Sequence, residues 1–367
     1  MSAIQTPPPE LRYAAELARL SAEDTGPRPP GWRLSPKAVV RFVMGDGDGI
    51  SAKFVGERAL VERAVITLAG TRGLLLVGEP GTAKSMLSEL LSAAISGTSN
   101  LTVQGTAGTT EEQLRYGWNY ALLLASGPRP EALIPSPVLT AMQTGGIARI
   151  EEITRCLPEV QDALVSILSD RRMSVPELGE AGVVYAKPGF NIIATANLRD
   201  RGVSEMSAAL KRRLNFETVA PIAEHDAEVA LVRAQVAATT APLAPSARVD
   251  ETVLGALVTA FRDLRGGRTA EGWPVEKPGA VLSTAEAVSV ATSLALDSAW
   301  FSERHDALGL LPGYLLGVAL KDDPKDRGRL LAYWDGAVRR RADPVTAHPQ
   351  AELWRRLLEL RRVLEEG

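Results

Sequence analysis

Apolar positions along the chain follow two periodicities, and the change falls near residue 220. Before it, short apolar runs of strand length recur: GLLLV, LTVQG, GGIARI and GFNIIATAN. Each is separated from the next by helical spacing or by loop residues. GLLLVGEPGTAKSMLSELL, residues 73–91, runs an apolar strand through a glycine turn into an amphipathic helix. Strands that alternate with helices predict a parallel sheet with crossover helices. From about Pro221 the strands stop. AEHDAEVALVRAQVAA, ETVLGALVTAFRDL, STAEAVSVATSLALDSAW and AELWRRLLELRRVLEE all repeat apolar residues at helical spacing. The pattern therefore predicts an α/β core over 35–220, a parallel sheet with flanking helices, followed by an all-helical region over 221–367.

Local signals refine the edges. Residues 1–34 read as a peripheral extension and linker, with ELRYAAELARLSAED a short amphipathic helix and TGPRPPGW a proline-glycine connector. GWRLSPKAVVRFVMG predicts a helix capped by Ser35, with Pro36 at its first position. FVGERALVERAVITLAG predicts another, reached from a glycine turn. RRMSVPELGEAGVVYAKPGF, about 171–190, reads as a strand–turn–strand hairpin with MSVPEL and VVYAKP as its arms.

Composition narrows the class. The chain has 367 residues, enough for two domains. A single cysteine, Cys156, rules out an internal disulfide and fits a reducing, cytoplasmic setting. His225, His305 and His348 lie far apart and beside no cysteine pair, which argues against zinc. The apolar runs are too short to span a bilayer, and MSAIQTPPPELRY does not read as a secretory signal. A net charge of −3 argues against a dedicated nucleic-acid binder. The basic clusters Lys211–Arg213 and Arg339–Arg341 have a plain alternative as solvated helix faces.

Candidate chemistry begins at GEPGTAKS. A P-loop reads G-x-x-x-x-G-K-[ST]; here Gly78, Glu79, Pro80, Gly81 and Thr82 precede Ala83, Lys84 and Ser85, so alanine replaces the last glycine. Such a loop works because backbone N–H groups converge on one anion where a helix begins. The lysine adds charge, and the serine hydroxyl can ligate magnesium. Ala83 adds one methyl, tolerable if it keeps a negative φ. Glu151 and Glu152 end the strand GGIARI, where the carboxyl edge of an open sheet collects ligands. One carboxylate can hold magnesium and the next can deprotonate an attacking water. Two acids opening a helix would be the bland alternative. Asn197 ends a third strand, and Arg212 and Arg213 close MSAALKRRLNF, suited to a transferred phosphoryl. Asparagine is a common turn former, so it is the order of the elements that points to nucleotide hydrolysis.

That order resembles the AAA+ ATPases, and within them the MoxR family and its magnesium-chelatase-like branch, over roughly residues 50–300. GEPGTAKS resembles the family's Walker A, in which alanine before the lysine is common. IARIEEITR resembles its Walker B strand, with Thr154 in place of an asparagine. ATANLRD resembles sensor 1, and SAALKRRLNF the segment ending in the arginine finger. The resemblance implies nucleotide contacts at Val55, Gly56, Gly78, Glu79, Pro80, Gly81, Thr82, Ala83, Lys84, Ser85 and Met86. It implies magnesium on Ser85 and Glu151, and catalysis by Glu152, Asn197 and Arg213, with Arg212 as rival finger and Arg155 as a supplementary arginine. Residues 105–137 resemble the family's insert within the second helix. A sensor-2 arginine is missing: LSTAEAVSV aligns there with Ala285 or Glu286.

Carried over, the resemblance implies Mg2+-dependent ATP hydrolysis by a ring, a hexamer by expectation, that remodels or matures a client protein. The partner implied is a separate protein with a von Willebrand factor A domain. Rival readings are an ATP-switched scaffold with little turnover, the motor subunit of a metal chelatase, and a DNA-translocating ring, which the acidic balance disfavours. The C-terminal stretch could seal the helical lid or dock a partner through Trp354, Leu357, Leu358 and Leu360 to Val363.

Overall fold

The computed structural model describes residues 5–197, 204–301, 306–321 and 323–366. The LRD that follows Asn197 and His305 lie outside the described residues. The chain forms two compact units. One comprises residues up to Glu79 with Ala83–Ala220; the other comprises Pro221 onward with Pro80–Thr82.

The first unit opens with α1 (Pro9–Arg12), α2 (Ala14–Glu23), α3 (Pro36–Met44) and α4 (Arg58–Ala69). Ser35 caps α3, its hydroxyl accepting from the Ala38 amide, and Pro36 occupies the first turn where no donor is missed. Then come β1 (Gly73–Val77), α5 (Lys84–Ser96), β2 (Thr102–Gln104), α6 (Glu111–Leu114), β3 (Tyr116–Trp118), α7 (Tyr120–Ser126), β4 (Leu133–Pro135), α8 (Pro137–Thr144) and β5 (Ile147–Glu151). α9 (Pro158–Asp170), β6 (Arg172–Ser174), β7 (Val183–Tyr185), β8 (Asn191–Ala196), α10 (Ala208–Lys211) and β9 (Leu214–Thr218) complete it.

Five strands form one sheet in the order β2-β5-β8-β1-β9, with every pairing parallel. This is the architecture that the alternating periodicity predicts. β1, β5 and β8 are buried throughout, as strands covered by helices on both faces must be. Registers Ile150↔Ala194 and Val77↔Ala196 align the carboxyl ends of β5, β8 and β1. The hairpin before β8 forms as β6 against β7, antiparallel. Within 105–137 a second antiparallel pair, β3–β4, carries α7, whose residues YALLLAS include none that is buried.

The N-terminal extension is not peripheral. Leu20 is 1% exposed and shares a core cluster with Trp32, Phe42 and Leu74. Acids fasten it: Glu10 accepts from the Ser99 amide and hydroxyl, Asp24 from the Ser35 amide and hydroxyl, and Glu16 from Ser51 and the buried Lys53. Lys53 also stands 4.7 Å from the Tyr13 ring centroid and 4.4 Å from that of Phe42. These partners are distant in sequence, so no local pattern announces them.

The second unit is helical: α11 (His225–Thr240), α12 (Glu251–Gly266), α13 (Thr284–Phe301), α14 (Ala307–Ala319) and α15 (Asp326–Tyr333). A π-turn over Trp334–Val338 leads into α16 (Arg339–Ala342), then α17 (Ala351–Glu359) and α18 (Arg361–Glu366). The C-terminal stretch is two helices joined at Leu360, and Trp354, Leu357 and Leu364 are buried in this unit's core. Nor is Arg339–Arg341 a plain solvated face. Arg341, 1% exposed, pairs with Asp263 at 2.6 Å and with Glu271, and lies over the Trp354 ring.

A second buried cluster centres on Glu228. Its carboxylate accepts from Thr284 Oγ1 (2.6 Å), Arg262 Nη1 (2.8 Å) and Arg265 Nη2 (3.0 Å). Burial alone would raise its pKa, but the hydrogen bonds and the Arg265 charge outweigh burial and hold it below the ordinary 4.5. A depressed folded-state pKa stabilises fully above 4.5, and that contribution is lost as pH falls through the folded value. Glu228→Gln strands two guanidinium groups, and breaking such a pair costs about 3–5 kcal/mol. Thermal melts of the full chain should show the variant less stable at neutral pH, with the difference shrinking on acidification below pH 4.5. An equal gap at every pH would refute the assignment.

Candidate active site

Three neighbouring strands deliver the candidate residues to one edge of the sheet. β1 ends at Val77 and passes into Gly78; β8 ends at Ala196 and passes into Asn197; β5 ends on Glu151 and passes into Glu152. The shared register makes these ends neighbours, so the phosphate-loop start, the acid pair and the asparagine converge.

The loop into α5 turns through two left-handed residues, Gly81 (φ 74°) and Ala83 (φ 64°). The condition set for Ala83, a negative φ, is therefore not met. Its methyl is tolerated in a conformation that favours glycine, at a cost of about 1–2 kcal/mol. Ala83 is also the residue preceding α5, and no side chain caps that helix. The first amides of α5 are thus left for another acceptor, the arrangement that binds anions. Ala83→Gly should raise stability by about 1 kcal/mol, since the relieved strain exceeds the added freedom of the unfolded chain. Chemical denaturation would read this; a destabilised variant would contradict the strain argument.

Lys84 is buried, and its ammonium donates to the carbonyls of Gly78 (3.1 Å) and Glu79 (2.7 Å). Burial pulls its pKa down, opposed by the charges of Glu152, Glu151 and Glu79. Ser85 Oγ donates to Glu151 Oε2 at 2.6 Å, joining the two residues expected to share magnesium. Thr195 Oγ1 donates to the same oxygen at 2.7 Å, while Ser88 Oγ (2.7 Å) and Arg149 Nη2 (2.6 Å) donate to Oε1. Burial pushes the Glu151 carboxyl up, but these donors and the Arg149 charge bring it below the ordinary value, so it is a carboxylate at neutral pH. A hydroxyl and a carboxylate are hard oxygen donors, which fits a cation such as Mg2+ that keeps its waters and borrows phosphate oxygens.

Glu152 differs from its neighbour. Its backbone is left-handed (φ 52°), and its amide donates to Thr195 Oγ1 at 3.0 Å. Its Oε2 is buried and accepts no hydrogen bond; Arg155 Nε stands 3.7 Å away. A strained backbone carrying a buried carboxylate oxygen without a hydrogen bond among the described residues is costly unless the site uses it. Asn197, 4% exposed, lies at the same edge.

The chain's stretch 73–214 matches the AAA domain (dynein-related subfamily), and 226–365 matches the YehL-like AAA+ ATPase C-terminal domain. Over 350 residues it is 49% identical to "Uncharacterized protein YehL" of Escherichia coli (strain K12), covering 95% of this chain and 96% of that one. The chain belongs to the YehL-like AAA+ ATPases. "Uncharacterized protein SH1500" of Staphylococcus haemolyticus (strain JCSC1435) is 36% identical over 143 residues, 39% of this chain and 53% of that one. NtrX from Brucella abortus in complex with ATP superposes at 15% identity with a TM-score of 0.48, over 86% of this chain and 64% of that one. That likeness is too loose to bear on the site.

In this YehL-like ATPase the remaining candidates are placed as follows. Val55 and Gly56 are exposed in the loop before α4, and Met86 is half-buried against the core. Arg213 donates to Ser169 Oγ and to the Ala209 carbonyl, whereas Arg212 is exposed and its side chain has no hydrogen-bond or ion-pair partner among the described residues. Glu286, one of the two candidates with Ala285 for the arginine's place in the resembling family, is a helix-capping residue. It accepts from the Ser283 amide (2.9 Å), receives the Ser283 hydroxyl as acceptor for its own amide (3.3 Å), and pairs with Lys321. Sequence reasoning missed Arg149, Ser88 and Thr195. The signal for Arg149 was present: a charged residue inside an otherwise apolar strand.

Proposed function

We propose that this chain is a MoxR-like ATPase of the magnesium-chelatase-like branch that hydrolyses ATP. What supports this reading is the convergence of Lys84, Ser85, Glu151, Glu152 and Asn197 on one sheet edge, beside an uncapped helix start. In this proposal Lys84 and the backbone N–H groups of the loop bind the phosphates, and Ser85 and Glu151 hold Mg2+. When bound, the metal neutralises phosphate charge and polarises the scissile group. Glu152 takes the proton of the attacking water, Asn197 orients that water, and Arg213 of a neighbouring copy, or its rival Arg212, stabilises the developing charge. Val55 and Gly56 flank the adenine. A site completed from the next subunit makes turnover depend on a ring, a hexamer by expectation. The 105–137 insert and the β6–β7 hairpin then act on a client protein, with a von Willebrand factor A domain protein as partner, in the cytoplasm.

One feature of the resemblance favours a second reading, an ATP-switched scaffold that scarcely hydrolyses: Ala285 or Glu286 stands where the family carries a phosphate-binding arginine. Phosphate release and particle mass, measured together across protein concentration with Mg·ATP, separate the two. Turnover that rises as rings form is expected; rings without release would favour the scaffold.

A further inference from the structure

Arg149 is a cation in the middle of β5, 5% exposed, two residues before Glu151 and therefore on the same face of the strand. A buried charge in an apolar strand is costly unless its donors are met. Here they are met with direction. Nε donates to Ser88 Oγ (2.9 Å); Nη1 donates to the Ser99 carbonyl (2.9 Å) and Thr102 Oγ1 (3.0 Å). Nη2 donates to Glu151 Oε1 at 2.6 Å, with Glu89 Oε1 at 3.3 Å. The fork thus ties β5 to α5 and to the start of β2, and its shortest bond goes to Glu151.

The four donors on Glu151 divide by oxygen. Arg149 and Ser88 hold Oε1; Ser85 and Thr195 meet Oε2. We propose that Arg149 is the positioning residue that pins Oε1 and so presents Oε2 beside the Ser85 hydroxyl, and that this pin is why glutamate serves here. The inference rests on the reading of Glu151 as a metal ligand. An aspartate at 151 is one methylene shorter and cannot reach both Arg149 and Ser85 from the same backbone. Arg149 touches neither substrate nor metal in this account; it acts through Glu151.

The test measures binding of a fluorescent ADP analogue to the full chain, in EDTA and across a Mg2+ titration, for Arg149→Met, Arg149→Lys, Glu151→Asp, the Glu151→Asp/Arg149→Met double variant and Glu151→Gln. Loss of such a supporting contact changes metal affinity by about 10–100-fold. Arg149→Met should raise the half-saturating Mg2+ concentration by that factor while leaving affinity in EDTA unchanged, and Arg149→Lys should fall between it and the parent. Glu151→Asp should cost as much alone but add little on top of Arg149→Met. The proposal is overturned if Arg149→Met loses thermal stability with an unaltered Mg2+ midpoint, or if the two substitutions add independently. Should Arg149→Met fail to fold, Arg149→Lys replaces it in both comparisons. Glu151→Gln keeps the two failures apart: an unshifted midpoint there removes the metal-ligand reading itself. A shift there with none at Arg149 removes only the positioning role.

Discussion

Glu152→Gln is expected to retain ATP and to stop its turnover, lowering kcat by about 10²–10⁴ as loss of a general base does. The substitution is nearly isosteric and the left-handed backbone at Glu152, tied by its amide to Thr195, has no reason to move. What disappears is the proton acceptor: Oε2, which accepts no hydrogen bond among the described residues and has Arg155 Nε 3.7 Å away. Phosphate release and fluorescent-nucleotide binding read the two effects separately. Substantial release by the variant would refute the base assignment, and loss of binding would show that the carboxylate serves structure instead. If the variant traps ATP as expected, it also supplies the ATP-bound form in which the proposed ring and client can be sought.

The arginine pair carries the second large effect. An arginine supplied from a neighbouring subunit is worth about 10³–10⁵ in rate. Arg213→Ala should therefore abolish measurable turnover, and mixing it with Lys84→Ala subunits should restore part of it, because each inactive parent supplies what the other lacks. Among the described residues the Arg213 side chain is held by neutral acceptors, Ser169 Oγ and the Ala209 carbonyl, which a phosphoryl group can displace. Arg212, exposed beside it, is the control. If Arg212→Ala is the variant that mixing rescues, the role moves by one residue; if neither is rescued, the shared-site mechanism fails.

The local features were legible because their causes are local. GLLLV is a buried strand and SPKAVV a capped helix for reasons contained within a few residues, and strand–helix alternation implies the parallel sheet that forms. Candidate residues could be read in the same way, since Glu151, Glu152 and Asn197 each stand at the end of an apolar run. The backbone of Ala83 could not, because its φ is set by how the loop must turn between β1 and α5, not by the preference of alanine.

Sequence by itself determined the strand–helix alternation of the sheet's buried strands and the residues brought to its carboxyl edge, because periodicity and strand ends are short-range properties; β3, β4, β9 and the break at Leu360 were not legible in it. Only the tertiary structure decided which charges lie inside and what they hold. Arg149 meets Ser99 across 50 positions, Arg341 meets Asp263 across 78, and Glu10 reaches Ser99 across 89. A cation looks the same on a solvated face as in a core. Its burial is settled by acceptors that the fold carries in from far along the chain, which is why a solvated face stayed open for RRR and the N-terminal extension read as peripheral.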